Sequence, residues 1–197
     1  RDVMLARTDL PFYTLKISNV QAHTYSNLLP VFSPVLGTIQ VPRSYIAADV
    51  SLRGTAFRFI TTHLETYDAL TNDAQGEELI GGPANTMMPV VAVGDFNSSA
   101  NGETDTSDTY PALLSAGFDD IWQDLHPRLV GNTCCQAEDL SNFTSQLYER
   151  LDLVMVKDGV SPLESHLVNL RFFTQPYWPS DHAGLEALLL IGGPQSH

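Results

Sequence analysis

The sequence is short of cysteine, of positive charge and of long apolar runs, and each shortage closes off a class of protein. Its two cysteines, Cys134 and Cys135, are adjacent, too few for a disulfide-built scaffold or a four-cysteine zinc site. They read first as a pair of loop thiols, and otherwise as a vicinal disulfide or as partners of a missing segment. Lys and Arg total 10 against 23 Asp and Glu, a net charge of −13. Such a field repels nucleic acid unless a bound divalent cation inverts it locally. No stretch interleaves clustered basic residues with stacking aromatics. The best apolar run, Leu185–Ile191, contains Glu186 and is far too short to span a bilayer. No Gly-x-Ser-x-Gly elbow is present, which argues against a serine esterase. No secretory signal is visible, and the chain starts at Arg1 rather than Met, which reads as a removed leader or a fragment. A secreted or periplasmic location is slightly favoured over a cytoplasmic one.

What is present suffices for a core. The chain has 197 residues, 43% of them hydrophobic and 17% charged, which fits one domain over residues 1–197. Val3–Ala6, Pro89–Val93, Leu151–Val156, Leu167–Phe173 and Leu185–Ile191 read as strands, while Leu15–Tyr25 alternates only partly and is punctuated by Asn, Gln and His. Thr38–Leu52 and Ala56–Leu64 read as a hairpin around Arg53-Gly54-Thr55. Thr71–Ile80 and Tyr110–Ala116 have helical character, stopped by Gly81-Gly82-Pro83 and by Gly117. Many strands with few helices in mixed order imply an α+β architecture.

Polar residues gather where these strands end. Gly94-Asp95-Phe96-Asn97 offers a carboxylate suited to Mg2+ and an amide able to hold a phosphate oxygen, although alone it reads equally well as a turn. In Ser180-Asp181-His182, Asp181 can bind metal and His182 can take a proton from water, but such pairs are common by chance. His63, in Thr62-His63-Leu64-Glu65, can donate to a phosphoryl oxygen or satisfy a backbone carbonyl in the core. Asp152 can fix the tautomer of a catalytic His or pair with Arg150. The aromatic group Phe172, Phe173, Tyr177 and Trp178 reads as packing, or as a pocket or membrane-facing wall.

Taken in order, Thr62-His63-Leu64-Glu65, Gly94-Asp95-Phe96-Asn97-Ser98, Arg150-Leu151-Asp152 and Ser180-Asp181-His182 resemble the motifs of the endonuclease/exonuclease/phosphatase family. Gly117-Phe118-Asp119-Asp120 before Trp122 is similar to a further family segment. The resemblance implies a four-layer α/β/β/α sandwich of the deoxyribonuclease I-like type, with its N-terminal strands and helix missing. It implies metal-dependent hydrolysis of a phosphoester by in-line attack of water, with Mg2+ as the cofactor and Mn2+ or Ca2+ as alternatives. His63 then contacts the scissile phosphate. Asp95 and Asn97 position water, metal and phosphate. Asp181 joins Asp95 at the metal, and His182 is the general base, oriented by Asp152. Arg43 and Tyr45 fall where relatives carry phosphate-facing groups. The substrate is nucleic acid, a phospholipid headgroup or a small phosphate ester. Without the family's early metal-binding Glu, a catalytically impaired remnant or binding module is the other reading. The vacated surface implies a homo-oligomer or association with the missing N-terminal segment.

Overall fold

The structure is a computed structural model of the chain and describes residues 2–102, 107–168 and 177–192. The first strands are β1 (Leu15–Thr24), β2 (Leu29–Ser33), β3 (Gly37–Val41), β4 (Ser44–Leu52) and β5 (Thr55–His63). Helix α1 (Ala69–Gly81) then leads to β6 (Val90–Asp95) and α2 (Thr109–Ser115). The chain continues through β7 (Asp119–Asp120), α3 (Ile121–Leu125), β8 (Asp152–Lys157), β9 (Val160–Val168) and β10 (Gly184–Ile191).

Six strands form a mixed sheet in the order β1-β4-β5-β6-β8-β7. The β4–β5 hairpin turns at Arg53-Gly54, both with positive φ, the two-residue geometry whose twist matches the strands it joins. Asp68 caps α1 by accepting the Thr71 N–H at 2.8 Å, and α1 carries the crossover from β5 to the parallel β6. One face of the sheet is covered by α1 and α2 around Ile60, Leu64, Leu79, Phe96, Leu113 and Met155. The other face packs Val91, Val154 and Val156 against Leu185, Ala187 and Leu189 of the β9–β10 pair. Helices, large sheet and second sheet therefore stack as three of the four layers of the expected sandwich.

Some expected elements differ. Val3–Ala6 forms no strand, and Val3 and Leu5 are exposed, because it pairs with no other strand among the described residues. Pro42 divides the Thr38–Leu52 run, so β3 pairs with β2 in a separate ribbon and only Ser44–Leu52 enters the sheet. The strand expected over Leu167–Phe173 begins earlier, as β9, and Phe172 and Phe173 lie outside the described residues. Gly94 sits at φ 142°, and a Cβ there would fall 1.9 Å from the Thr62 carbonyl oxygen on β5. Gly94→Ala is expected to destabilise the fold by about 3 kcal/mol or more, read as a fall in the urea midpoint; an unchanged midpoint contradicts this close packing of β5 on β6.

Candidate active site

Sheet register assembles most of the site. His63 ends β5, Asp95 ends β6 and Asp152 opens β8, and the three are direct neighbours across adjacent strands, His63 opposite Asp95 and Asp95 opposite Asp152. His182 arrives from the other sheet, on a bridge to Cys134 just before β10. Ligand atoms of Asp95, Asp152 and His182 lie within 4.8 Å of one another, and His63 Nε2 stands 3.5 Å from Asp95 Oδ2.

The contacts separate the roles. His182 Nδ1 donates to Asp152 Oδ2 at 2.7 Å, which leaves Nε2 as the ring's outward nitrogen. Arg150, the other candidate partner of Asp152, is drawn away by the buried Asp120 at 2.6 Å. The Asp152 hydrogen bond raises His182 to about 9, against the opposing effect of burial. Burial and the neighbouring Asp152 push the Asp95 carboxyl above its ordinary value. Burial lowers His63, with Asp95 opposing, so its neutral imidazole is the form held at pH 7.

Asn97 is set by its own loop. It adopts φ 44°, its backbone N–H donates to Asp95 Oδ1 at 3.0 Å and its Nδ2 donates to the Leu64 carbonyl at 2.9 Å. Asp181 is exposed and outside the convergent trio, its carboxylate accepting, among the described residues, a long 3.4 Å contact from Ser180 Oγ. The structure brings Asp152, rather than Asp181, to Asp95. Arg43 lines a cavity of about 210 Å³ beside His63, with Asp2, Thr24, Pro42 and Ser44, and reaches the buried Glu65 at 3.4 Å. Tyr45 is buried against Tyr25. Trp178 is buried, its indole N–H donating to the Asn142 carbonyl, whereas Tyr177 is exposed.

Two supporting residues carried no usable signal in the sequence. Thr133 is fully buried; its Oγ1 accepts the N–H groups of Leu151 and Asp152 at 3.1 and 3.0 Å, and its carbonyl accepts Ala183 N–H at 2.7 Å. One residue thus holds the backbone at Asp152 and at Ala183, the residue after His182. Asn72 Nδ2 donates to the carbonyls of Glu65 and Phe96 at 2.6 and 3.0 Å, tying the loops after β5 and β6 together. Both are ordinary polar residues of a helix and a loop, distinguished only by where the fold buries them.

Cys134 and Cys135 form a vicinal disulfide. Thiol titration of the denatured chain without reductant is expected to find no free thiol, and two reactive thiols would remove the bridge.

A sequence profile of the endonuclease/exonuclease/phosphatase family matches residues 12–182. The chain belongs to that family. No curated protein matches it. Among solved structures, D. rerio TDP2 complexed with a single-strand DNA product is 18% identical, with a TM-score of 0.65 over 90% of this chain and 69% of that one. The mannosyl-6-phosphatase of Bacteroides thetaiotaomicron is 17% identical, with a TM-score of 0.63 over 94% and 69%. The human Nocturnin catalytic domain with bound sulfate is 18% identical, with a TM-score of 0.55 over 89% and 60%. At these identities the likeness establishes the fold, the α+β sandwich of deoxyribonuclease I-like proteins. Endonuclease/exonuclease/phosphatase proteins hydrolyse phosphoester bonds and generally use a divalent metal.

The Asp152–His182 pair fixes a pH signature. A folded value near 9 lies above the unfolded value of about 6.5. The pair therefore contributes its full stability below about pH 6.5, and that contribution is lost as pH rises through about 9. An NMR titration of His182 in the metal-free chain is expected to show its inflection near 9, moving clearly downward in Asp152→Asn, where the largest raising contact is lost. Identical inflections in the two proteins would separate Asp152 from His182.

Proposed function

We propose that this protein is a Mg2+-dependent phosphoester hydrolase in which His182 takes a proton from the water that attacks phosphorus. The convergence of Asp95, Asp152 and His182 carries this reading.

The donor set fits a hard divalent cation. Asp95 and Asp152 bring two carboxylates together; burial first, and then the charge of Asp152, raises the Asp95 carboxyl, and positive charge between the two would relieve both effects. These two residues would hold the ion, which takes the metal role expected of Asp181 and gives it to Asp152. Asp181 instead adds negative potential at His182. When bound, the cation supplies Lewis-acid stabilisation of charge on the phosphoryl oxygens.

The chain's own residues do the remainder. Asp152 holds the Nδ1 proton of His182, so it is the neutral ring, the form above about pH 9 in the metal-free chain, that offers Nε2 to the water proton. A cation held by Asp95 and Asp152 would offset the negative charge that raises His182 and so favour that neutral form. His63, held neutral by burial, donates to a non-bridging phosphoryl oxygen. Arg43, in the cavity beside His63, faces the negative charge of the ester. Asp95 Oδ1 accepts the backbone N–H of Asn97, which sets the loop that follows β6.

His182→Ala and Asp95→Ala are each expected to remove metal-dependent turnover of a generic phosphodiester, with circular dichroism unchanged. Turnover kept by both variants would move the chemistry elsewhere, and a folded chain inert at all Mg2+ concentrations would favour the binding-module reading.

A further inference from the structure

The β2–β3 ribbon is the largest feature the catalytic reading leaves unused. It forms its own two-stranded sheet, and the sequence carries no charged side chain between His23 and Arg43. That is unusual in a chain with a net charge of −13. Apolar side chains stand on both faces, the Val31–Ile39 pair on one and Phe32 on the other. The tip carries Val35 and Leu36 around Pro34, and Phe32, Val35 and Leu36 are 75%, 87% and 73% exposed. Soluble surfaces seldom gather large apolar groups this way.

From these observations we propose that the ribbon is a docking device for a lipid surface, which its tip enters at the level of the headgroups. A groove on a partner protein covers one face of a ribbon, whereas a bilayer interface receives both faces and the tip together. The turn is prepared for a poorly hydrated setting, because Ser33 Oγ accepts the backbone N–H groups of Val35 and Leu36 at 3.3 and 3.2 Å. The ribbon's own strands pair their backbones over Leu29–Ser33 and Gly37–Val41. Charge selects the surface: an uncharged ribbon on an acidic protein suits a zwitterionic bilayer and is repelled by an anionic one. No helix among the described residues is long and apolar enough to cross a membrane; the attachment proposed is that of the ribbon at the interface. Pro42, which directly follows β3, and Thr24, which ends β1, line the cavity beside His63, so the ribbon leads into the rim of the candidate site. The consequence that headgroup phosphoesters are the substrate class rests on the hydrolase reading; the docking itself does not.

The test is co-sedimentation of the full chain with phosphatidylcholine vesicles, beside the triple variant Phe32→Ser, Val35→Ser, Leu36→Ser. The chain is expected to sediment with the vesicles and the variant to partition at least roughly tenfold less, with an unchanged thermal midpoint. Turnover of a soluble phosphodiester should be equal in the two proteins; loss of turnover in both overturns the hydrolase reading and leaves the docking result standing. No sedimentation of the chain, or equal sedimentation of chain and variant, overturns the proposal. Tighter binding when phosphatidylserine is added overturns the charge argument. A lipid-free dimer abolished by the variant assigns the ribbon to a second copy of the chain instead.

Discussion

Asp152→Asn is expected to lower kcat for phosphodiester hydrolysis by about 10³–10⁴-fold while leaving the fold intact. The 2.7 Å bond between His182 Nδ1 and Asp152 Oδ2 keeps a proton on Nδ1, so that the ring, once neutral, carries its lone pair on Nε2. An amide at position 152 can present its N–H₂ group to Nδ1, which then becomes the acceptor and moves the ring proton to Nε2. The base is then in the wrong form, although its position is unchanged. The backbone at 152 is held independently by Thr133 Oγ1, so the substitution changes the chemistry of the side chain rather than the path of β8. Thr133→Val tests the support separately. It removes the acceptor for two backbone N–H groups, and it should lower both turnover and thermal stability, with Thr133→Ser restoring both. An Asp152→Asn variant within tenfold of the parent would show that His182 needs no orienting partner.

Asp95→Asn is expected to give effects of opposite sign on activity and stability. Turnover should fall by about 10³-fold or more, since the variant removes one of the two carboxylates proposed to hold the metal. In EDTA the same variant should melt higher. Burial and the Asp152 charge hold the Asp95 carboxyl above its ordinary value. A raised acid costs the fold stability once pH exceeds its unfolded value, so at pH 7 the ionised group is a burden. Removing it should recover stability, read as a rise in the thermal midpoint. A variant that loses both activity and stability would mark Asp95 as a structural residue.

Much of the fold was legible because its signals are local. The Arg53-Gly54 turn, the helix ended by Gly82 and the apolar β-branched run of β6 each follow from a few neighbouring residues. The β2–β3 ribbon was not legible: its apolar residues extend the pattern of β4, and only Pro42 marks the break. In the site, the order of the motifs was enough to bring His63, Asp95, Asp152 and His182 together. It could not tell which carboxylate meets Asp95, because Asp181 adjoins His182 in sequence and neighbours on extended backbone point to opposite sides. Asp152 stands thirty positions earlier yet faces the same ring. Thr133 and Asn72 belong to the same class of information, fixed by packing between distant segments rather than by any pattern along the chain.

The central claim is tested most directly by hydrolysis of bis(p-nitrophenyl) phosphate, measured first in EDTA and then through a Mg2+ titration, for the parent chain and for His182→Ala. The account predicts no turnover in EDTA, saturable recovery with Mg2+ in the parent, and none in His182→Ala at any Mg2+ concentration. Turnover that EDTA leaves untouched, or that His182→Ala retains, would contradict it.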